Sequence, residues 1–157
     1  MFFTSLFSAN LITKKLAKDI QYIVSTDSTN DSIWEMFCNN EIKSGGVLIA
    51  EQQNRGRGRR GSVWYSTRGE SLTFSFLIDS QMVSLQLISL CCGIAIVNGI
   101  KEFTGLECNL KWPNDIMFNN YKVGGILIER KKSFLIIGVG LNINDSNFNP
   151  EIKNKAT

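Results

Sequence analysis

The chain has 157 residues, with 17 Lys plus Arg against 14 Asp plus Glu for a net charge of +3, four cysteines, two prolines and no histidine. That length suits one domain, 43% hydrophobic residues suffice for a core, and so small a net charge names no nucleic-acid or membrane partner. Without an imidazole, Ser-His-Asp and Cys-His hydrolases and most zinc enzymes are excluded, and any chemistry falls to Lys, Arg, Asp or Glu.

The N-terminal MFFTSLFSANLI is apolar but has no preceding basic residue and no A-x-A site, so it does not read as a signal peptide. A short helix is expected around Leu11 to Asp19 and a strand over Tyr22 to Ser25. Asp27-Ser28-Thr29-Asn30 offers caps for a helix running to about Cys38. Gly46 to Glu51 reads as a short apolar strand, followed by a long glycine and arginine loop from Gln53 to Val63.

Ser71 to Asp79 alternates Leu72, Phe74, Phe76 and Ile78 with Ser71, Thr73 and Ser75, which predicts a strand with one buried, apolar face. Ser80 to Ile100 carries no charge. Val83, Leu87, Leu90, Ile94 and Val97 recur there at helical spacing, which predicts the buried helix of a soluble protein rather than a membrane span. Glu107 to Trp112, Asp115 to Phe118, Lys122 to Glu129 and Phe134 to Asn142 read as four strands, with a tight turn at Asn119-Asn120. The fold class expected is α+β, a sheet with its helices on one face. Cys38, Cys91, Cys92 and Cys108 form no C-x-x-C pair and read as buried, reduced thiols of a cytoplasmic protein.

Two constellations carry chemistry. In Gly56-Arg57-Gly58-Arg59-Arg60-Gly61 the glycines free the backbone to line an anion, and the arginines add planar cationic forks suited to phosphate. The spacing is neither a Walker loop nor a dinucleotide fingerprint, and by itself it also fits a solvated basic turn or an RNA-binding patch. Lys111-Trp112-Pro113-Asn114-Asp115 sets a cation and a carboxylate about a proline turn, an arrangement equally open to a surface ion pair. Gly124-Gly125 within a β-branched strand suggests a bulge or a ligand pressed against backbone, and Gly138-Val139-Gly140-Leu141-Asn142 ends a strand in small residues.

Taken in order, Ser28-Thr29-Asn30, Gln53 before G-R-G-R-R-G, K-W-P-N-D, a lysine with small residues before I-L-hydrophobic-E, and G-x-N resemble the biotin protein ligases over Ser25 to Asn144. The resemblance implies a mixed, largely antiparallel sheet similar to the class II aminoacyl-tRNA synthetase-like catalytic domain. It implies a single catalytic domain over 1–157, with neither the N-terminal helix-turn-helix nor the small C-terminal β domain of some relatives. The activity implied is ATP-dependent ligation of biotin, through biotinyl-5'-AMP, to a lysine of a biotin carboxyl carrier protein. ATP and biotin would be substrates and Mg²⁺ would sit on the phosphates. No DNA or membrane partner is expected, and a homodimer is left open.

By the same resemblance Lys111 contacts the biotin carboxyl and α-phosphate and Arg59 holds the adenylate, these two being the catalytic residues, with Arg57 and Arg60 assisting. Ser28, Thr29 and Gln53 bind the biotin urea together with Gly56 and Arg57, while Gly124 and Gly125 floor the tail pocket. Trp64 and Asn142 meet adenine, and Asp115 is a candidate metal ligand. A loop of glycines and mutually repelling arginines is also expected to order over a bound anion, closing residues Gln53 to Val63 as a lid. Two alternatives stay open: a lipoate or octanoyl ligase of the same superfamily, and a small RNA-binding module using the loop with Trp64 and Tyr65.

Overall fold

The computed structural model describes residues 11–13, 16–80 and 84–144. The leading segment 1–10, Val83 of the expected helix and the polar tail Asp145 to Thr157 lie outside them. The elements run β1 (Ile20–Thr26), α1 (Thr29–Cys38), β2 (Val47–Gln53), β3 (Gly56–Arg57), β4 (Val63–Trp64) and β5 (Ser71–Asp79). They continue with α2 (Leu85–Thr104), β6 (Asn109–Lys111), β7 (Asp115–Phe118), β8 (Tyr121–Lys131) and β9 (Phe134–Asn142). Seven strands form one sheet in the order β1-β2-β5-β9-β8-β7-β6, antiparallel except for β1 beside β2. The α+β class and largely antiparallel sheet are as expected.

The two helices lie on opposite faces of the sheet, not together on one. On one face Ile33 of α1 packs with Leu48, Leu77 and Ile136, flanked by Trp34 and Phe37. On the other, Ile88, Cys92, Ile96, Val97 and Ile100 of α2 pack on Ile116, Ile126, Leu135, Ile137, Val139 and Leu141. Alternation along β9 divides it between the two cores: Ile136 turns to α1, while Ile137 and Val139 turn to α2. Each fully buried leucine or isoleucine contributes about 1.5–3 kcal/mol.

Five further expectations are corrected. In β5 the face that carries the polar residues is the fully buried one: Thr73, Ser75 and Leu77 are 0% exposed, whereas Phe74, Phe76 and Ile78 are half-buried against the α2-side core and Leu72 is 37% exposed. The α1 face supplies the partners of Thr73 and Ser75, among them the Ala50 carbonyl, which accepts from Thr73 Oγ1 at 2.8 Å. Helix α2 is not buried, for Gly93 is its only buried residue among those described and Leu87, Leu90, Ile94 and Phe103 face outward. By length and composition Leu87–Thr104 would suffice to cross a membrane. The helix expected before β1 is absent from its described part: residues 16–19 are a succession of bends, fastened where Ala17 N–H donates to the Gly45 carbonyl at 2.7 Å. The strand expected over Glu107 to Trp112 is shortened to β6, and all four thiols are free, with Cys38 and Cys91 exposed.

Candidate functional site

A cleft of about 240 Å³ opens on the α1 face of the sheet, between the start of α1, the end of β2, the loop after it and strands β8 and β9. Its polar end is built at the turn before α1. Ser28, 3% exposed, occupies the cap position but makes no side-chain capping bond, and Thr29 N–H instead donates to Gln53 Oε1 at 2.7 Å. Thr29 Oγ1 donates to the same oxygen at 3.0 Å. With its carbonyl doubly engaged, Gln53 presents its amide nitrogen as the end available to donate.

This polar end continues inward. Ser75 Oγ lies 2.7 Å from Thr29 Oγ1 and 2.6 Å from Asn30 Oδ1, and Asn30 Nδ2 donates to Glu129 Oε2 at 2.6 Å. Gly138 makes room for Asn30, since a Cβ there would collide with the amide oxygen. Asn30, Ser75 and Glu129 were not among the expected site residues. Ser75 is concealed by an alternation that makes it look solvent-facing.

The loop from Gln53 to Val63 is a flap with internal structure. β3 and β4 pair as a two-stranded ribbon, and Gly58 N–H donates to the Ser62 carbonyl at 2.7 Å. Arg60 at the tip adopts φ 55°, left-handed backbone that a non-glycine residue rarely takes. Gly56 is buried beneath the ribbon, where a Cβ would strike the Trp64 carbonyl, so it shapes the flap without lining the cleft. The Trp64 indole lies against β8 and β9: a Cβ on Gly140 would collide with it, and one on Gly125 would come within 3.7 Å. Its Nε1 is buried without a partner among the described residues.

The cleft's lysine is Lys122, not Lys111. Lys111 is exposed on the edge strand β6 and lines a separate hollow with Ser89, Leu90 and Trp112. Lys122 lines the cleft with its ammonium 2.6 Å from Asp115 Oδ1, and its terminal atoms pass 3.5 Å from where a Gly125 Cβ would stand. Strict alternation would turn Lys122 and Gly125 to opposite faces. The register between β7 and β8 slips at Ile116/Met117, and that bulge brings both to the same side. Ordinary alternation separates the paired glycines: Gly125 faces the cleft, while Gly124 faces the α2 core against Leu141 and Ile116.

Of the remaining expected residues, Ser28, Thr29, Gln53, Arg57, Arg59, Trp64 and Asp115 line the cleft. Arg60 does not; with Arg59, Trp112 and Asn114 it borders a neighbouring open hollow of about 660 Å³. Asn142 ends β9 on the Gly138 and Gly140 side but beyond the cleft wall. The Trp112–Pro113 peptide is cis.

The flap arginines are held differently. Arg57 is bonded to both oxygens of Asp31 and lies 3.5 Å from Glu129 Oε1. That guanidinium holds the Asp31 carboxyl below the usual carboxylate range, and Asp31 in turn raises the pKa of Arg57. Among the described residues the Arg59 guanidinium bonds only the neutral Asn114 Oδ1, at 3.2 Å. Among the described residues no group of three His, Cys, Asp or Glu could hold a metal ion, and the carboxylate of Asp115 is engaged by Lys122.

A slot with a donor–acceptor end, a glycine floor under an indole, and a lysine and arginines at its mouth suits a mostly apolar acid meeting a phosphate. A model of the biotin/lipoate A/B protein ligase family matches residues 22–144. The chain is 33% identical over 156 residues to the bifunctional ligase/repressor BirA of Bacillus subtilis, covering 94% of this chain and 48% of that protein. It is 32% identical to the biotin--[acetyl-CoA-carboxylase] ligase of Mycobacterium tuberculosis over 80% of this chain and 50% of that one. The structure resembles the biotin protein ligase of Aquifex aeolicus in complex with biotin and ATP, with a TM-score of 0.81, 35% identity, and coverage of 89% of this chain and 59% of that one. Plasmodium falciparum LipL1 in complex with lipoate is similar in fold, with a TM-score of 0.58 at 15% identity and coverage of 86% of this chain and 50% of that one. The chain spans about half the length of the curated relatives it matches.

Proposed function

The chain belongs to the biotin/lipoate A/B protein ligase family, and from that premise we propose that it joins biotin to ATP and passes the biotinyl group to a lysine of a biotin carboxyl carrier protein. In the first step a biotin carboxylate oxygen attacks the α-phosphorus, the bond to the pyrophosphate oxygen breaks, and biotinyl-5'-AMP and pyrophosphate result. In the second the neutral ε-amine of the carrier lysine attacks the acyl carbon, AMP leaves, and the amine surrenders its proton as the amide forms.

The first step brings an anion onto a polyanion, so its catalysis is charge neutralisation and alignment. The observation that carries the reading is one cleft holding Gln53, Thr29 and Ser28 at one end and the Lys122 ammonium at another, beside Gly125 and Trp64. Gln53 Nε2 and the Ser28 hydroxyl suit the biotin urea, and the indole over its glycine floor suits the bicycle and tail. Lys122, released from Asp115 as the substrates arrive, takes the place expected for Lys111 between carboxylate and α-phosphate. Arg59 and Arg60 face the phosphates. Magnesium would enter with the nucleotide as the counter-ion of its phosphates.

Four free thiols accord with a cytoplasmic setting. The lipoate reading draws on the shared family and on a likeness of fold at 15% identity, whereas the Mycobacterium tuberculosis relative at 32% identity and the Aquifex aeolicus structure at 35% are biotin ligases. The RNA reading draws on the composition of the loop alone, whereas the family model and the relatives named above are of ligases. The test is biotin-dependent exchange of labelled pyrophosphate into ATP, followed by streptavidin detection of a biotin carboxyl carrier domain after incubation with both substrates. No biotin-dependent exchange by the folded chain would overturn the reading.

A further inference from the structure

The three flap arginines differ in how they are held, and that difference divides their tasks. Arg57 grips Asp31 with both terminal nitrogens, one of them 2.9 Å from Oδ1, and reaches Glu129 at 3.5 Å. Asp31 sits in the first turn of α1 and Glu129 on β8, so one guanidinium ties the root of the flap to a helix and to the sheet. Arg59 has only a neutral amide, and Arg60 has no ion pair among the described residues. An incoming phosphate would have to displace two carboxylates to engage Arg57, but none to engage Arg59 or Arg60.

We propose that Arg57 is a positioning residue, a strut between the flap, Asp31 and Glu129, and that anion recognition falls to Arg59 and Arg60. This rests on the cleft being the biotin site and on the nucleotide reaching the adjoining hollow that Arg59 and Arg60 border. It departs from the role that the sequence resemblance assigns to Arg57, which is to hold the adenylate.

The strut reaches the polar end of the cleft. Glu129, which meets Arg57 through Oε1, accepts from Asn30 through Oε2 at 2.6 Å, and Asn30, Ser75, Thr29 and Gln53 follow in unbroken hydrogen-bond contact. Glu129, Asn30, Ser75 and Thr29 thus link the flap root to Gln53, whose amide nitrogen faces the urea site. Freeing Arg57 therefore loosens biotin's seat, while the nucleotide's cations stay where they are. An Arg57 that bound phosphate would behave oppositely: removing Asp31 would release it and strengthen nucleotide binding.

The experiment compares Arg57→Gln, Asp31→Asn and the double variant with the unaltered chain, each checked by thermal melting. Calorimetry is run with biotin alone and, separately, with a non-hydrolysable MgATP analogue. A strut predicts that both single variants weaken biotin about fivefold, the scale of a half-exposed charge pair, and that the double variant is no weaker than the worse single. Analogue affinity should stay within twofold for all three and fall for Arg59→Gln. Loss of analogue binding in Arg57→Gln, with unchanged or tighter binding in Asp31→Asn, overturns the proposal.

Limited trypsin cleavage after Arg59 and Arg60 needs no ligand and gives an independent reading. A strut predicts faster cutting in both single variants than in the unaltered chain, and equal cutting overturns it. Should the unaltered chain bind neither probe, the functional reading fails while the cleavage comparison still decides the strut.

Discussion

Lys122 Nζ sits 2.6 Å from Asp115 Oδ1 across two neighbouring strands, and the pair faces the cleft because the register between those strands slips beside it. Lys111 stands opposite Asp115 on the other side of β7, yet on the edge strand it opens on a different hollow. The two lysines therefore make opposite predictions. Lys122→Ala should lower biotin-dependent pyrophosphate exchange about 10²–10³-fold, the usual cost of removing a group that meets developing charge. Lys111→Ala should leave exchange within about threefold, since an exposed cation outside the cleft is screened by solvent. Equal losses would return the reacting carboxylate to the Lys111 side.

The glycines of the cleft separate stability from binding. A methyl group at Gly138 would collide with the buried Asn30 amide, so Gly138→Ala should cost about 1–3 kcal/mol in urea unfolding. At Gly125 the added carbon would meet Lys122 at 3.5 Å and the Trp64 ring at 3.7 Å, ordinary contacts. Gly125→Ala should therefore melt near the unaltered chain but bind biotin more weakly, because the added carbon fills the slot.

Arg57 depresses the Asp31 pKa, and the sign of its effect on stability follows. A carboxyl whose folded-state pKa lies below its unfolded value stabilises the fold at pH above the unfolded value, and that stability is lost as pH falls through the folded one. The gap in unfolding free energy between the unaltered chain and Asp31→Asn should be constant from pH 7 to 5.5 and close below about pH 4. Because both groups are partly exposed, the gap should also shrink in molar salt.

Burial pushes the Cys92 thiol up to about 11, with the adjacent Cys91 adding to it. At pH 8 only about one Cys92 in a thousand is then a thiolate. Iodoacetamide labelling followed by mass spectrometry should modify the exposed Cys38 and Cys91 well before Cys92 and the buried Cys108. Early labelling of Cys92 would mean that α2 lifts from the sheet.

The flap should close on its ligands. Three glycines and a left-handed Arg60 give it a loosely held tip, and its only polar side-chain tie near that tip to the rest of the described chain is Arg59 to Asn114. Biotin with MgATP should slow trypsin cleavage after Arg59 and Arg60, and equal cleavage with and without ligands would rule out an ordering lid.

The sequence by itself carried the order of the elements and most of the cleft's membership. Ser71–Asp79, Asp115–Phe118 and Phe134–Asn142 have the bounds expected from alternation and turn residues, which act locally. Ser28, Thr29, Gln53, Arg57, Arg59 and Trp64 were legible because their motifs are contiguous and chemically unusual. What the tertiary structure decided are facings and partners. The polar row of β5 turns inward because Thr29 and Asn30 on α1 meet Ser75, which no pattern within β5 can record. Lys122 lines the cleft beside Gly125 because a one-residue slip between β7 and β8 brings the two to one face, whereas Lys111 stands on the edge strand β6. Arg57 differs from Arg59 only in having Asp31 and Glu129 beside it, residues 26 and 72 positions away in the chain. Local sequence sets what each strand or turn can be, but pairing across the sheet sets where its side chains point and what they find there.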